Sequence, residues 1–330
     1  MNTQRITRML PCFRRESRVK VETVGWISFA LSLMTGATST PLAKELTTAF
    51  SPLSMVFLTE FSVLCFTVLS FGFLPLLHGL LRLRRKHMLP LVVFSVANGV
   101  IAPMFMFNGL KTTSAVNAEL FARSQTLFLL LFAVVFLKEV LRKEHVFAAG
   151  IVIAGVTLIA LQGFALDVSL NHGDGLIILA ASMYATGISV LKKYLHDVHP
   201  ELSLFFRGVV ALTFFFVSSP FLNHTFVQEF SSVPNTLFSV VMAYGFLSCF
   251  LSVFCFYEAV ERLEAHTISV GLPLMSIGSI VMANVYLGET LTWYHITGAV
   301  LLISGTIGMQ IADRVHNAKM HLPPSHYQRH

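Results

Sequence analysis

The sequence predicts an all-α polytopic membrane protein: ten transmembrane helices arranged as two inverted five-helix repeats. Three observations predict it. Hydrophobic residues make up 55% of the 330 and charged residues only 12%, with a mean hydropathy of +0.71. A soluble domain carries roughly 25% charged residues. Apolar runs repeatedly reach the length of about 20 residues that crosses about 30 Å of hydrocarbon. Lys and Arg gather in alternate connections between those runs, and part of the sequence repeats at one fixed offset. An unusually greasy soluble protein is excluded because the apolar stretches are long as well as numerous.

Residues 1–20 form a basic tail, with Arg5, Arg8, Arg14, Arg15, Arg18 and Lys20. A cleaved signal peptide would show a shorter apolar core and a small-residue cleavage site. The run from Gly25 to Leu42 leads instead into another hydrophobic helix and is read as retained, while Glu16 and Glu22 argue against a transit peptide. Helices are predicted at residues 24–44, 53–77, 89–110, 113–137, 145–164, 174–194, 201–222, 234–260, 265–287 and 293–312. Polar or basic punctuation parts most of them: Lys44-Glu45 and Ser51-Pro52, Arg82 to His87, Arg142 to Glu144, Asp167 to Asp174, and His196 to Glu201. The weakest breaks follow Leu110 and Val260.

Charge checks the count independently. With the N-terminus inside, nineteen of the 23 Lys and Arg fall in the two tails and the inner loops. Only Lys44 and Lys111 fall outside, and Arg123 and Arg207 lie within helices. This asymmetry is the positive-inside pattern, and it places both termini in the cytoplasm of a plasma (inner) membrane protein. The net charge of +6 is therefore an orientation signal, and nucleic acid is not a partner. Cys12, Cys65, Cys249 and Cys255 show no paired spacing, so neither a disulfide framework nor a zinc site is expected.

Shifting the chain by 150 residues sets Leu137, Glu139, Leu141, His145, Ala149 and Gly155 on Leu287, Glu289, Leu291, His295, Ala299 and Gly305. The same shift pairs Ala115 with Ala265 and Gly25 with Gly175. The repeats are thus 21–164 (helices 1–5) and 174–312 (helices 6–10), followed by a cytoplasmic tail, 313–330. Five helices is an odd number, so the second copy must sit upside down relative to the first. Inverted repeats are the common build of secondary transporters, with the substrate site near the midplane.

Each copy carries a small-residue stretch, a helix ending in Leu-x-Glu, and a Gly-containing helix; the copies are Ala115 to Gly155 and Ala265 to Gly305. The second reads Ala265-His-Thr-Ile-Ser-Val-Gly-Leu-Pro273, then Leu287-Gly-Glu289, then Gly298 to Gly305. The segment from His172 through Gly173, Asp174 and Gly175 to Ser182 opens helix 6 in a matching way. The chain past Val21 resembles the drug/metabolite transporter superfamily, specifically its EamA-type members. That resemblance implies ten helices, alternating access, and small solutes such as amino acids, metabolites or drugs, often exported. Two departures from the family pattern stand out. Arg123 occupies a position where the first copy often has Pro, aligned with Pro273, and helix 2 carries Glu60 where an Arg is common; helix 7 has its Arg207.

Ionisable groups within hydrocarbon face a cavity or a partner. Four qualify: Glu60, Glu119, Arg123 and Arg207. Glu119 and Arg123 stand i, i+4 on helix 4 and share a face. They form either a self-contained ion pair or a cavity wall on which Arg123 binds an anionic group and Glu119 tunes it. Glu60 is unpaired within its helix, and is either a proton carrier or the partner of Arg207. Asn98, Asn117, Gln125, Tyr184, Tyr244 and His266 line a path or form interhelical hydrogen bonds. Glu139 and Glu289 close helices 4 and 9, and their expected job is structural, in capping and loop bonding at the interface. Pro41, Pro103 and Pro273 interrupt helices where freed carbonyls face protein or water. The sequon at Asn223 and the tail histidines His316, His321, His326 and His330 are read as incidental and solvated, with no metal site.

No Gly-x-x-x-x-Gly-Lys-Ser/Thr loop is present, so the chain has no such site for nucleotide hydrolysis. The four Asp, at 167, 174, 197 and 313, lie at helix ends or in loops, and no His-Glu pair occurs. An intramembrane enzyme is therefore not expected, and no cofactor is implied. A channel or a scaffold is the remaining alternative to a carrier. The expected partners are a small-molecule solute and the lipid bilayer, with a homodimer left open.

Overall fold

A computed structural model describes residues 18–137, 143–163, 171–195, 197–221, 226–263 and 265–321, and every element among them is helical. The chain enters through α1 (Arg18–Gly36) and α2 (Ser39–Leu46), which divide the first predicted helix at Ala37–Thr38. There the Thr38 hydroxyl donates to Thr35 O at 2.6 Å, a local bond that competes with the helical ladder. α3 (Pro52–Phe71) starts at Ser51-Pro52: Ser51 accepts from the Ser54 N–H, and Pro52 sits where its missing donor costs nothing. Gly72, with φ +81°, ends it, and α4 (Phe73–Leu81) carries the chain to the basic loop.

α5 (Arg85–Val96) and α6 (Ala102–Thr112) form one span through a π-helical turn at Ala97–Ile101. α7 (Ala115–Ala122) and α8 (Gln125–Leu137) form another, tightened where the N–H groups of Arg123 and Ser124 reach back three residues to Leu120 and Phe121. α9 (Lys143–Ala160) follows. Next come α10 (His172–Tyr194), α11 (Pro200–Ser218), the short α12 (Phe226–Ser231) and α13 (Asn235–Ala243). A second π-helical turn, Tyr244–Leu251, joins α13 to α14 (Ser252–Arg262), before α15 (Ala265–Leu287) and α16 (Trp293–His321).

These helices overlie every predicted segment. Among the described residues seven runs are long and apolar enough to cross a membrane, from Pro52–Phe71 to Asn235–Phe256. The first run is divided at Thr38, α15 shows a shorter apolar stretch, Pro273–Leu287, and α16 continues past 312 into its polar tail. The predicted Glu139, the Asn223 sequon, residues 1–17, and His326 and His330 lie outside the described residues, as do the side chains of His266, His316 and His321.

Packing reproduces the offset found in the sequence. A shift of 150 residues carries α6 onto α14 and brings α3 to α11 and α9 to α16. Of these equivalent helices, α3 and α11 lie against each other, as do α9 and α16, and both pairs run antiparallel. Gly155 meets Leu302 and the Gly298 carbonyl, while Gly305 meets Val152 and the Ala148 carbonyl. On α3 and α11, Phe57 lies against Phe215 and Leu64 against Gly208. Two further contacts form a matched pair: α10 packs on α6 where Gly109 meets Ile177 and the Gly173 carbonyl, and α1 packs on α14 where the Ser32 hydroxyl donates to the Ser252 carbonyl at 2.9 Å.

Small residues permit the closest approach. A Cβ on Gly305 would stand 2.6 Å from Val152 Cγ2 and 2.9 Å from the Ala148 carbonyl, which cannot rotate away. Gly305→Leu is expected to destabilise the protein by about 1–3 kcal/mol through overpacking. Gly150→Leu, with nothing within 4 Å, should leave the thermal midpoint in nanodiscs unchanged. Equal midpoints for the two variants would disprove the tight α9–α16 seam.

Candidate functional site

The antiparallel pairing of α3 and α11 sets Glu60 beside Arg207. The Arg207 Nε–H donates to Glu60 Oε2 at 3.0 Å, and Glu60 is only 2% exposed. A lone carboxylate so placed would be costly; beside a guanidinium it is tolerated. The geometry places Glu60 beside Arg207, the partner that the sequence offered for it.

Both π-helical turns reach this level. Gly99, in the first, lies on Arg207: a Cβ there would stand 2.8 Å from Arg207 Cγ. Its neighbour Asn98 is buried, and Asn98 Oδ1 has no partner among the described residues. Tyr244, opening the second turn, is buried and shares a 2.9 Å hydrogen bond with Thr59, next to Glu60 in the chain. Tyr184, half-buried on α10, lies within range of both charges. Five predicted residues, Glu60, Asn98, Tyr184, Arg207 and Tyr244, are thus brought to one level. Thr59 and Gly99 join them unpredicted. The one sequence signal for Gly99 is an isolated glycine inside a helical pattern, which marks a close approach or a distortion. π-turns recur at functional sites because they redirect side chains out of helical register.

A second polar centre lies between α2 and the α7–α8 junction. Arg123 donates to Glu119 Oε1 at 2.5 Å, and the Thr40 hydroxyl donates to Glu119 Oε2 at 2.8 Å. Glu119 is buried. Arg123 Nε and the hydroxyl of Ser124, the next residue, are buried without partners among the described residues. The predicted ion pair is present, and it leaves the buried Nε–H without an acceptor among the described residues.

Asn117 lies at a third place, the corner between α6 and α7. It is 2.9 Å from His295 Nε2. Lys44 donates to the carbonyls of Leu110 (2.5 Å) and Thr113 (2.7 Å), and the Thr113 hydroxyl donates to Asp174. Glu289 accepts from the N–H groups of Ala115 (2.6 Å) and Val116 (2.8 Å), capping α7 across the two halves of the sequence. A carboxylate on the first N–H groups of a helix satisfies donors that have no intrahelical acceptor. Glu289→Ala is expected to cost about 0.5–2 kcal/mol, the usual range for a lost cap. Amide exchange should then rise first over residues 115–120, and an unchanged exchange map would refute the capping role.

The comparisons with known proteins agree with this architecture. The model of the EamA-like transporter family matches twice, over residues 23–161 and 171–310. An uncharacterized transporter of Synechocystis sp. is 24% identical over 250 residues, covering 74% of this chain and 71% of its own. The uncharacterized transporter YcxC of Bacillus subtilis is also 24% identical over 250 residues, covering 72% of this chain and 78% of its own. One solved crystal structure superposes with a TM-score of 0.55 at 19% identity, over 91% of this chain and 99% of its own, and shows a shared fold. With both halves of the chain matched and its helices long and apolar enough to span a bilayer, this integral multi-pass membrane protein belongs to the EamA-like transporter family.

Proposed function

We propose that the chain is a secondary transporter that moves a small metabolite, amino acid or drug-like solute by alternating access, in the direction of export. Ten spans form two inverted repeats, with both termini in the cytoplasm of the plasma (inner) membrane. The single observation that carries this reading is the buried Glu60–Arg207 pair at 3.0 Å, held between two equivalent, antiparallel helices with the π-turn residues Asn98, Gly99 and Tyr244 around it. A fold that only scaffolded would fill this level with apolar side chains, because buried ion pairs seldom add stability over hydrophobic replacements. Solute binding would take place between the halves, and Glu119 and Arg123 would border the same passage.

Metabolite profiling of cells with and without the protein supplies candidate solutes, and counterflow in reconstituted vesicles tests them. Saturable, stereoselective counterflow is expected. Unsaturable flux would identify a channel, and none at all across the candidates would count against a carrier. Glu60→Gln is expected to reduce uptake driven by a pH gradient; unchanged uptake would exclude a proton-coupling role for Glu60.

A further inference from the structure

A cavity of about 680 Å³ opens on the outside of the bundle, between the first π-turn with α6 and the facing side of α11. Val100, Met104 and Phe105 form one wall, and Val210, Phe214 and Val217 the other. The one hydroxyl in the lining, on Thr213, donates to the Val209 carbonyl at 2.8 Å and offers nothing to a ligand. This space therefore suits hydrocarbon alone. Its walls belong to two membrane-spanning runs, Arg85–Thr112 and Pro200–Phe221, and Ile101, Phe214 and Val217 are exposed on its rim, so it faces lipid.

The α6 stripe that lines it continues toward the end of the span. Met104, Asn108 and Lys111 recur at intervals of four and three and so share one helix face. Lys111 stands six residues beyond Phe105, about 9 Å further along the axis at 1.5 Å per residue. It is exposed and makes no hydrogen bond or ion pair among the described residues. Lys44, the other lysine at this end, is already committed to the carbonyls of Leu110 and Thr113. An apolar cleft with an uncommitted cation above it, at the depth where hydrocarbon gives way to headgroups, has the polarity profile of one phospholipid.

We infer that this groove is a specific binding site for an anionic phospholipid of the leaflet on the Lys111 side, with an acyl chain between α6 and α11 and the phosphate on Lys111. The site rests on the membrane-spanning fold and is independent of the transport reading. It has a functional neighbour, since Gly99 of the same π-turn packs on Arg207, one helical turn along α11 from Val210. An acyl chain in the groove props the π-turn from the lipid side while Arg207 supports it from within.

The test uses the full chain in nanodiscs containing phospholipids with a diazirine on the acyl chain, carrying either a phosphatidylglycerol or a phosphatidylcholine headgroup. Cross-linked peptides are mapped by mass spectrometry. Cross-links are expected to concentrate on residues 100–105 and 210–217, with the anionic probe favoured about fivefold, the effect of one lysine at an anionic surface. Thr213→Trp fills the groove and should abolish the concentration; Val217→Trp serves the same purpose if the first variant does not fold. Lys111→Gln should remove the headgroup preference and keep the acyl cross-links. Cross-links spread evenly over other lipid-facing residues, such as Phe147 and Val285, or yields indifferent to the tryptophans, would overturn the site. Equal yields from both headgroups in the unmodified protein would overturn its anionic specificity. Because no solute is needed, failure here leaves the transport reading standing, and loss of counterflow leaves this site standing.

Discussion

Arg207→Leu is expected to destabilise the folded protein by about 3–5 kcal/mol, because it strands the Glu60 carboxylate where water does not reach. Glu60→Leu should do comparable harm from the other side. The double variant Glu60→Leu/Arg207→Leu replaces the pair with two apolar side chains of similar bulk, and should recover most of the lost stability, since neighbours in one ion pair do not behave additively. Thermal unfolding in nanodiscs measures all three. Transport separates structure from function: the double variant is expected to fold and to carry no solute. Transport retained in a well-folded double variant would make the pair a structural element only. Without recovery of stability, the pair would have to be bonded into a wider network than the 3.0 Å contact between Arg207 and Glu60.

The helices were legible because hydrocarbon imposes a length, and the punctuation at Ser51-Pro52 and Arg82 to His87 falls where α3 and α5 begin. Their interruptions were not. The π-turns at Ala97–Ile101 and Tyr244–Leu251 leave no mark in an apolar pattern, because each adds one residue to a turn without changing which residues are apolar. The break at Thr38 depends on a hydroxyl finding a carbonyl, which a helical pattern cannot show. The same limit governs the site. Charge within apolar runs singled out Glu60, Glu119, Arg123 and Arg207, and the i, i+4 spacing anticipated the contact of Arg123 with Glu119. The partner of Glu60 stands 147 residues away, and only the antiparallel packing of α3 on α11 brings the two together. Asn117 and Asn98 look alike in sequence. One meets His295 at the α6–α7 corner, and the other is held in a π-turn against Gly187 with its side-chain oxygen unpartnered among the described residues.

Arg123 carries the second large expectation. Its terminal nitrogen holds Glu119 at 2.5 Å while its Nε–H is buried with no acceptor among the described residues. A buried donor left unmatched costs roughly 1–3 kcal/mol, so a ligand oxygen reaching it gains that much over an already satisfied group. Arg123→Leu removes the counter-charge beside the buried Glu119 carboxylate; about 3–5 kcal/mol should be lost. Arg123→Lys is the more telling variant. A lysine keeps the charge beside Glu119 and lacks the planar set of donors, so fold stability should be nearly preserved. If the free Nε–H receives an anionic part of the solute, the apparent KM for such solutes should rise several-fold in Arg123→Lys while neutral solutes move as before. A lysine variant indistinguishable from the parent for every solute, with Arg123→Leu still unstable, would restrict Arg123 to balancing Glu119 at the junction of α7 and α8.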